Sequence, residues 1–223
     1  MSRNKILEIA CFNVESALIA QSSGADRIEL CENYEEGGLT PSQKIILETR
    51  DKIQVPLHVI IRPRAGDFVY SIPEIEEMKK SILFCKEHKI DGIVLGVLTG
   101  ANEIDGSACN ALIELAKPMS LTFHRAVDQC INLDKAFENL VQMGIERVLS
   151  SGCKNSAVEG IVQLKKLQEK YGEKIVIMPG GGIRSSNIKR LLESGCKEFH
   201  SAALMHGEKI ADAAEIKKLK QFL

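Results

Sequence analysis

The chain has 223 residues, with 29 Lys and Arg against 30 Asp and Glu, a formal net charge of -1 and a sequence pI of about 6.5. This balance leaves no basic footprint for nucleic acid or an anionic membrane, and no apolar run reaches the roughly 18 residues of a membrane span. Seven cysteines without a C-x-x-C pair, no Asn-x-Ser/Thr sequon and an N-terminus that opens on a strand point to a cytoplasmic protein with reduced thiols, not to a secreted disulfide framework or a structural zinc site.

In chain order, strand-like runs occur at Leu7–Cys11, Arg27–Cys31, Leu57–Arg62, Gly92–Val97, Ser120–Arg125, Arg147–Ser151, Lys174–Met178 and Glu198–Ser201, separated by stretches of helical periodicity. The alternation predicts an α/β fold with a parallel sheet. Eight repeats remove both sheet edges most economically by closing into a single-domain (β/α)8 TIM-like barrel over residues 1–223. No Pro/Gly-rich linker or compositional break divides the chain. Apolar Ala213, Ile216, Leu219 and Leu223 make the final segment, Asp212–Leu223, the eighth helix.

Residues i and i+2 of a strand share a face, and the outward face of a helix-covered barrel should be aliphatic. This places Leu7, Ile9, Ile28, Leu30, Leu57, Val59, Ile61, Leu121 and Phe123 outside, and leaves Glu8, Glu29, Cys31, His58, Arg62, Thr122, His124, Glu198 and His200 pointing inward. Such interiors are normally branched and apolar, so these polar groups need partners or a task. Glu8 and His58 lie early in their strands, where a buried ion pair could plug the barrel floor. Glu29, Arg62, His124 and His200 lie late, at the end where these barrels work.

The loops after the strands add chemistry. Arg62-Pro63-Arg64-Ala65-Gly66-Asp67 sets two guanidinium groups beside a carboxylate, suited to an anion unless Arg64 and Asp67 pair with each other. His124-Arg125-Ala126-Val127-Asp128 offers an imidazole with a carboxylate four residues on, an oriented acid/base pair unless Asp128 caps the next helix. Pro179-Gly180-Gly181-Gly182 follows the seventh strand. Its glycines let backbone N–H groups approach a ligand, and a helix expected to start near Ser185 or Ser186 would favour negative charge; the plainer alternative is a tight turn. No Lys sits late in a strand, which argues against a Schiff-base aldolase, and Walker, H-E-x-x-H and G-x-S-x-G motifs are absent.

Five segments occur in one order: Arg27-Ile28-Glu29-Leu30-Cys31-Glu32-Asn33, Glu36-Gly37-Gly38-Leu39-Thr40-Pro41, Ile61-Arg62-Pro63-Arg64 with Gly66-Asp67-Phe68, Thr122-Phe123-His124-Arg125-Ala126, and Met178-Pro179-Gly180-Gly181-Gly182. Together they resemble the CutC family over nearly the whole chain. The resemblance implies a TIM-like barrel, a cytoplasmic homo-oligomer and, through the family's name, copper tolerance by Cu(I) binding to cysteine; no reaction comes with it. Members often carry a second inward cysteine near the end of the first strand. Here Ala10 takes that place, and Cys11 should face away from Cys31.

Two readings follow. In the first, the barrel is an enzyme for a small anionic metabolite, an isomerase, lyase or hydrolase. Arg62, Arg64, Arg125 and the Gly180, Gly181 and Gly182 loop hold the anion, Glu29 and His124 exchange protons, Asp128 orients His124, and His200 polarises a carbonyl or hydroxyl. It names no particular cofactor and leaves a required metal open. In the second, Cys31, alone or with His124 or His200, binds Cu(I), since soft thiolates select that ion; otherwise Cys31 is a small buried hydrophobe.

Overall fold

The computed structural model describes residues 5–205 and 207–223. Eight strands, β1 (Ile6–Cys11), β2 (Arg27–Leu30), β3 (Leu57–Ile60), β4 (Gly92–Leu95), β5 (Ser120–Phe123), β6 (Arg147–Ser150), β7 (Val176–Pro179) and β8 (Glu198–Ser201), form one sheet. All registered pairs are parallel and sequential, with β8 returning beside β1. β7 and β8 adjoin without a registered ladder among the described residues, so the barrel is nearly closed.

The helices alternate with the strands: α1 (Val14–Ser22), α2 (Gln43–Lys52), α3 (Ile72–Glu87), α4 (Gly106–Ala116), α5 (Leu133–Gln142), α6 (Ile161–Tyr171), α7 (Ile188–Leu191) and α8 (Ala213–Lys220). Asn13, Asp105, Asn132 and Asp212 each accept a first-turn N–H at the starts of α1, α4, α5 and α8, satisfying donors that the helix leaves orphaned. Ser71 and Glu74 form a reciprocal capping box on α3. The outward aliphatic set, from Leu7 and Ile9 to Leu121 and Phe123, is buried in one continuous shell between sheet and helices. Ile216 and Leu219 seal α8 against that shell.

The barrel floor differs from the expected Glu8–His58 ion pair. Glu8 pairs instead with Arg27, which also reaches Glu198 at 2.6 Å, and Arg147 joins Glu198 at 2.7 Å and Thr122 at 3.1 Å. Registration explains the exchange: Glu8 lies opposite Arg27 on β2 and His200 on β8, while His58 lies opposite Glu29 and Gly92. Gly92 carries no side chain, and the His58 ring fills that space; a Cβ there would stand 2.5 Å from Nε2. Burial holds the His58 pKa down to about 4, so the ring is neutral filling near pH 7. Alternating charges in the floor satisfy one another, as burial demands.

Candidate functional site

The inward residues above the floor line a cavity of about 490 Å³ at the C-terminal ends of the strands. The i, i+2 alternation carries them upward: Ala10 above Glu8, Glu29 and Cys31 above Arg27, Ile60 and Arg62 above His58, Leu149 above Arg147, and His200 with Ala202 above Glu198.

Glu8, His200 and Glu29 form a chain that rises from the floor into the cavity. His200 Nδ1 lies 2.7 Å from Glu8 Oε1, and its Nε2 lies 3.7 Å from Glu29 Oε2. Burial works against the Glu8 carboxylate, yet Arg27 and His200 outweigh it and hold the pKa well below the usual range. Glu8 is therefore an acceptor only. It accepts a hydrogen bond from Nδ1–H and aims Nε2 at Glu29. Glu29 behaves oppositely: burial and the Glu8 charge push its pKa up to about 7, with His200 and Arg27 opposing. Burial would lower His200, but the hydrogen bond to Glu8 and the charge of Glu29 raise it. A carboxyl poised near neutrality beside an oriented imidazole is an acid/base pair.

His124 reaches the cavity but is separated from its expected partner. The Ala126 N–H donates to Nδ1 at 3.2 Å, so the proton of the neutral ring sits on Nε2. Burial, with the nearby Arg62 charge adding to it, lowers the pKa to about 3. The ring is therefore neutral near pH 7. Asp128 turns instead to the β6 loop: its carboxylate accepts from Ser150 Oγ at 2.6 Å, Ser151 N–H at 2.9 Å, Ser151 Oγ at 2.9 Å, Cys153 N–H at 3.1 Å and Arg125 Nε at 3.1 Å. It shapes the rim and anchors Arg125, since the short 3-10 turn Arg125–Gln129 carries its side chain away from the imidazole.

The arginines separate by their partners. Arg64 lies outside the cavity, bound to Asp67 at 2.8 Å and Glu74 at 2.6 Å. Arg62 lines the cavity, with its guanidinium donating to the carbonyls of Glu36, Gly38 and Gly66 and lying over the Phe68 ring. Arg125 donates to Ser151 Oγ at 2.8 Å and lies against Gly181. Arg184, not among the candidates that the sequence offers, lines the cavity too, held by Ile183 O, Leu204 O and Ser201 Oγ. Among the described residues neither Arg62 nor Arg184 meets a carboxylate, so both charges face the cavity uncompensated.

Gly181 and Gly182 line the cavity with φ of 101° and 74°, conformations that a side chain would strain. Gly180 N–H is used by Ser150 O. Among the described residues the N–H groups of Gly181, Gly182 and Ala202 have no protein acceptor. The expected helix at Ser185 or Ser186 is absent; α7 is a single turn from Ile188. Arg184 N–H donates to Asn187 Oδ1 and Ser185 N–H to Glu215, so those amides are already engaged. The loops themselves present the free donors.

Cys31 is buried in a small apolar cluster with Ile60 and Val94. Burial and the Glu29 carboxyl beside it raise its pKa well above the usual thiol value, which disfavours a thiolate. Cys11 points into the outer shell, as the alternation required. Among the described residues no three His, Cys, Asp or Glu groups lie in place to hold a metal ion.

The CutC family profile matches residues 5–205. A human copper homeostasis protein cutC homolog is 46% identical over 199 residues, covering 89% of this chain and 73% of its own. A CutC family protein of Proteus mirabilis is 46% identical over 197 residues, 88% of this chain and 78% of its own. The crystal structure of a copper homeostasis protein CutC from Streptococcus agalactiae aligns with a TM-score of 0.84 at 33% identity, covering 89% of this chain and 98% of that one. An aldolase, QR15, aligns with a TM-score of 0.71 at 10% identity over 100% and 99% of the two chains, a likeness of fold alone. The matched stretch runs from β1 through β8 and includes Glu8, Glu29, His124 and His200, and the chain belongs to the CutC family.

Proposed function

We propose that the chain is an enzyme that carries out acid/base chemistry, of the isomerase, lyase or hydrolase kind, on a small phosphate- or carboxylate-bearing metabolite in the cytoplasm. The observation that carries this reading is the Glu8–His200–Glu29 chain opening into a cavity lined by Arg62 and Arg184, neither of which meets a carboxylate among the described residues. Arg62, Arg125 and Arg184, with the free N–H groups after β7 and β8, supply donors where barrels of this kind often hold phosphate. Glu29 takes and returns a proton near neutral pH, and His200 tunes it from one side while Glu8 holds the imidazole in place.

The relatives' name points to copper. Cu(I) favours soft thiolate ligands, and this cavity offers one buried, protonated thiol, hard carboxylates and two imidazoles, His200 held by Glu8 and His124 by the Ala126 N–H. The guanidinium groups of the rim further oppose a cation. The residues do not fit a copper site.

Titration calorimetry with inorganic phosphate tests the anion site, and a panel of small phosphates and carboxylates followed by NMR tests turnover. Wild type binds phosphate; Arg184→Gln weakens it by about tenfold or more through loss of charge-assisted hydrogen bonds, and Arg64→Ala does not. Glu29→Gln abolishes turnover of any substrate found. Absence of phosphate and carboxylate binding, or equal effects of the two arginine variants, overturns the reading.

A further inference from the structure

Open donors gather on one side of the cavity, where the loops after β6, β7 and β8 are pinned together. Ala157 N–H, after β6, donates to Gly181 O at 2.9 Å, and Ser201 Oγ, at the end of β8, donates to Ile183 O at 2.7 Å. Between these ties the N–H groups of Gly181 and Gly182 stay without a protein acceptor among the described residues, and Ala202 adds a third. Arg125 spends Nε on Asp128 and Nη2 on Ser151 Oγ and Lys154 O, which leaves both hydrogens of Nη1 unused. That nitrogen stands over the glycine: the point that a Cβ at Gly181 would take lies 3.3 Å from Arg125 Nη1 and 3.4 Å from Ser151 Cβ. The open face of Gly181 and the open nitrogen of Arg125 therefore border one space. From the β8 side comes Arg184, whose Nη1 lies 3.3 Å from Ser201 Oγ and whose Nε and one Nη2 hydrogen are unused. Neither Arg125 Nη1 nor Arg184 Nε is closed to solvent. The carboxylates that line the cavity, Glu29 and Glu35, belong to β2 and the loop after it, across the barrel from β6.

We infer that this side of the cavity seats the phosphoryl group of a phosphate monoester, resting on Gly181 and Gly182 between Arg125 and Arg184, and that the substrate is a phosphate monoester and not a carboxylate. This rests on the anionic-metabolite reading and selects one of its two classes. A carboxylate accepts through two oxygens with about four lone-pair sites. The three backbone N–H groups and the unused hydrogens of the two guanidiniums exceed that capacity. A phosphoryl group brings three acceptor oxygens and a charge of about −1.5 to −2 at pH 7, matching both the number of donors and the two cations. Arg62 is of another kind: three of the four hydrogens on its terminal nitrogens go to carbonyls, so it contributes charge more than donors. The seat also sets the reach of the substrate. A Cβ at Gly180 would stand 3.4 Å from the Cβ and Cδ2 of His200, and Nε2 of the same ring lies 3.7 Å from Glu29. One imidazole thus spans the distance from the glycine loop to the carboxyl, and the atom that exchanges its proton with Glu29 lies only a short chain from phosphorus.

Calorimetry at about pH 8, above the second phosphate pKa of about 6, compares three ligands of similar size. Ethyl phosphate is a dianion with three terminal oxygens, dimethyl phosphate a monoanion with two, and butyrate a monoanionic carboxylate. Wild type binds ethyl phosphate about tenfold or more tightly than either of the others, as one or two additional charge-assisted hydrogen bonds provide. Arg125→Gln, which removes the nitrogen over Gly181, weakens ethyl phosphate by about tenfold and the two monoanions by less. Butyrate or dimethyl phosphate bound as tightly as ethyl phosphate overturns the phosphoryl assignment and leaves the anion site standing; this comparison needs wild type alone and decides even where Arg125→Gln fails to fold. Unchanged affinity for ethyl phosphate in an Arg125→Gln protein that melts like wild type overturns the placement over Gly181. Failure of all three ligands to bind overturns the anion site, and the phosphoryl assignment with it.

Discussion

Replacing Glu29 by Gln removes a buried carboxyl whose pKa burial has raised from 4.5 to about 7 while keeping the shape of the side chain. The unfolded chain releases this proton near pH 4.5; the native protein keeps it to about pH 7. Within that window the native state binds one more proton than the unfolded state, so wild-type stability falls as pH rises, and above it the loss is complete. The raised pKa corresponds to about 3 kcal/mol. Glu29→Gln lacks this slope. His200 also loses a partner carboxylate in the variant, which acts in the opposite direction and brings the net gain to about 1–3 kcal/mol above neutral pH. Urea unfolding near pH 4.5 and near pH 8.5 measures it: the variant's midpoint should move up relative to wild type by about 0.5–1 M at the higher pH and little at the lower. Parallel pH curves, or a variant less stable than wild type at alkaline pH, refute the argument and make Glu29 an ordinary paired carboxylate. A gain in stability coupled to loss of turnover is the signature expected of a residue kept for function.

In the floor, Arg27→Met leaves Glu8 and Glu198 with one cation fewer and should cost about 3–5 kcal/mol in a thermal or denaturant melt; near-wild-type stability would show that Arg147 and His200 suffice. Gly92→Ala drives a methyl into His58 and should destabilise by about 1–3 kcal/mol, a loss that His58→Ala in the same chain partly restores; simple additivity of the two changes would refute the close contact. Titrated anaerobically with Cu(I) in excess glutathione, wild type and Cys31→Ser should release copper alike, and stoichiometric retention by wild type alone would restore the copper reading.

The barrel could be read from the chain because its signals are local. Strand and helix periods alternate eight times, and the aliphatic members of each strand identify the outer face, so Leu7, Ile28, Val59 and Phe123 fell where alternation put them. The same parity that turns Glu29 inward also covers Arg27, and the parity of Leu149 covers Arg147, so both cations of the floor are legible as inward residues. Arg184 stands two residues beyond the glycine loop, but nothing in spacing says that a carbonyl of Leu204 would hold it at the rim.

Sequence by itself determined what each residue could do and which face of a strand it takes, since those depend on covalent structure and a period of two. It therefore settled the barrel, the family and the separation of Cys11 from Cys31. Pairing between strands is a matter of register, and only the tertiary structure decided it. Glu8 went to Arg27 and His200 instead of His58 because β1 lies between β2 and β8. Burial, too, is collective: it holds His124 neutral and raises Glu29 to about 7, shifts that no single residue's neighbours in the sequence foretell.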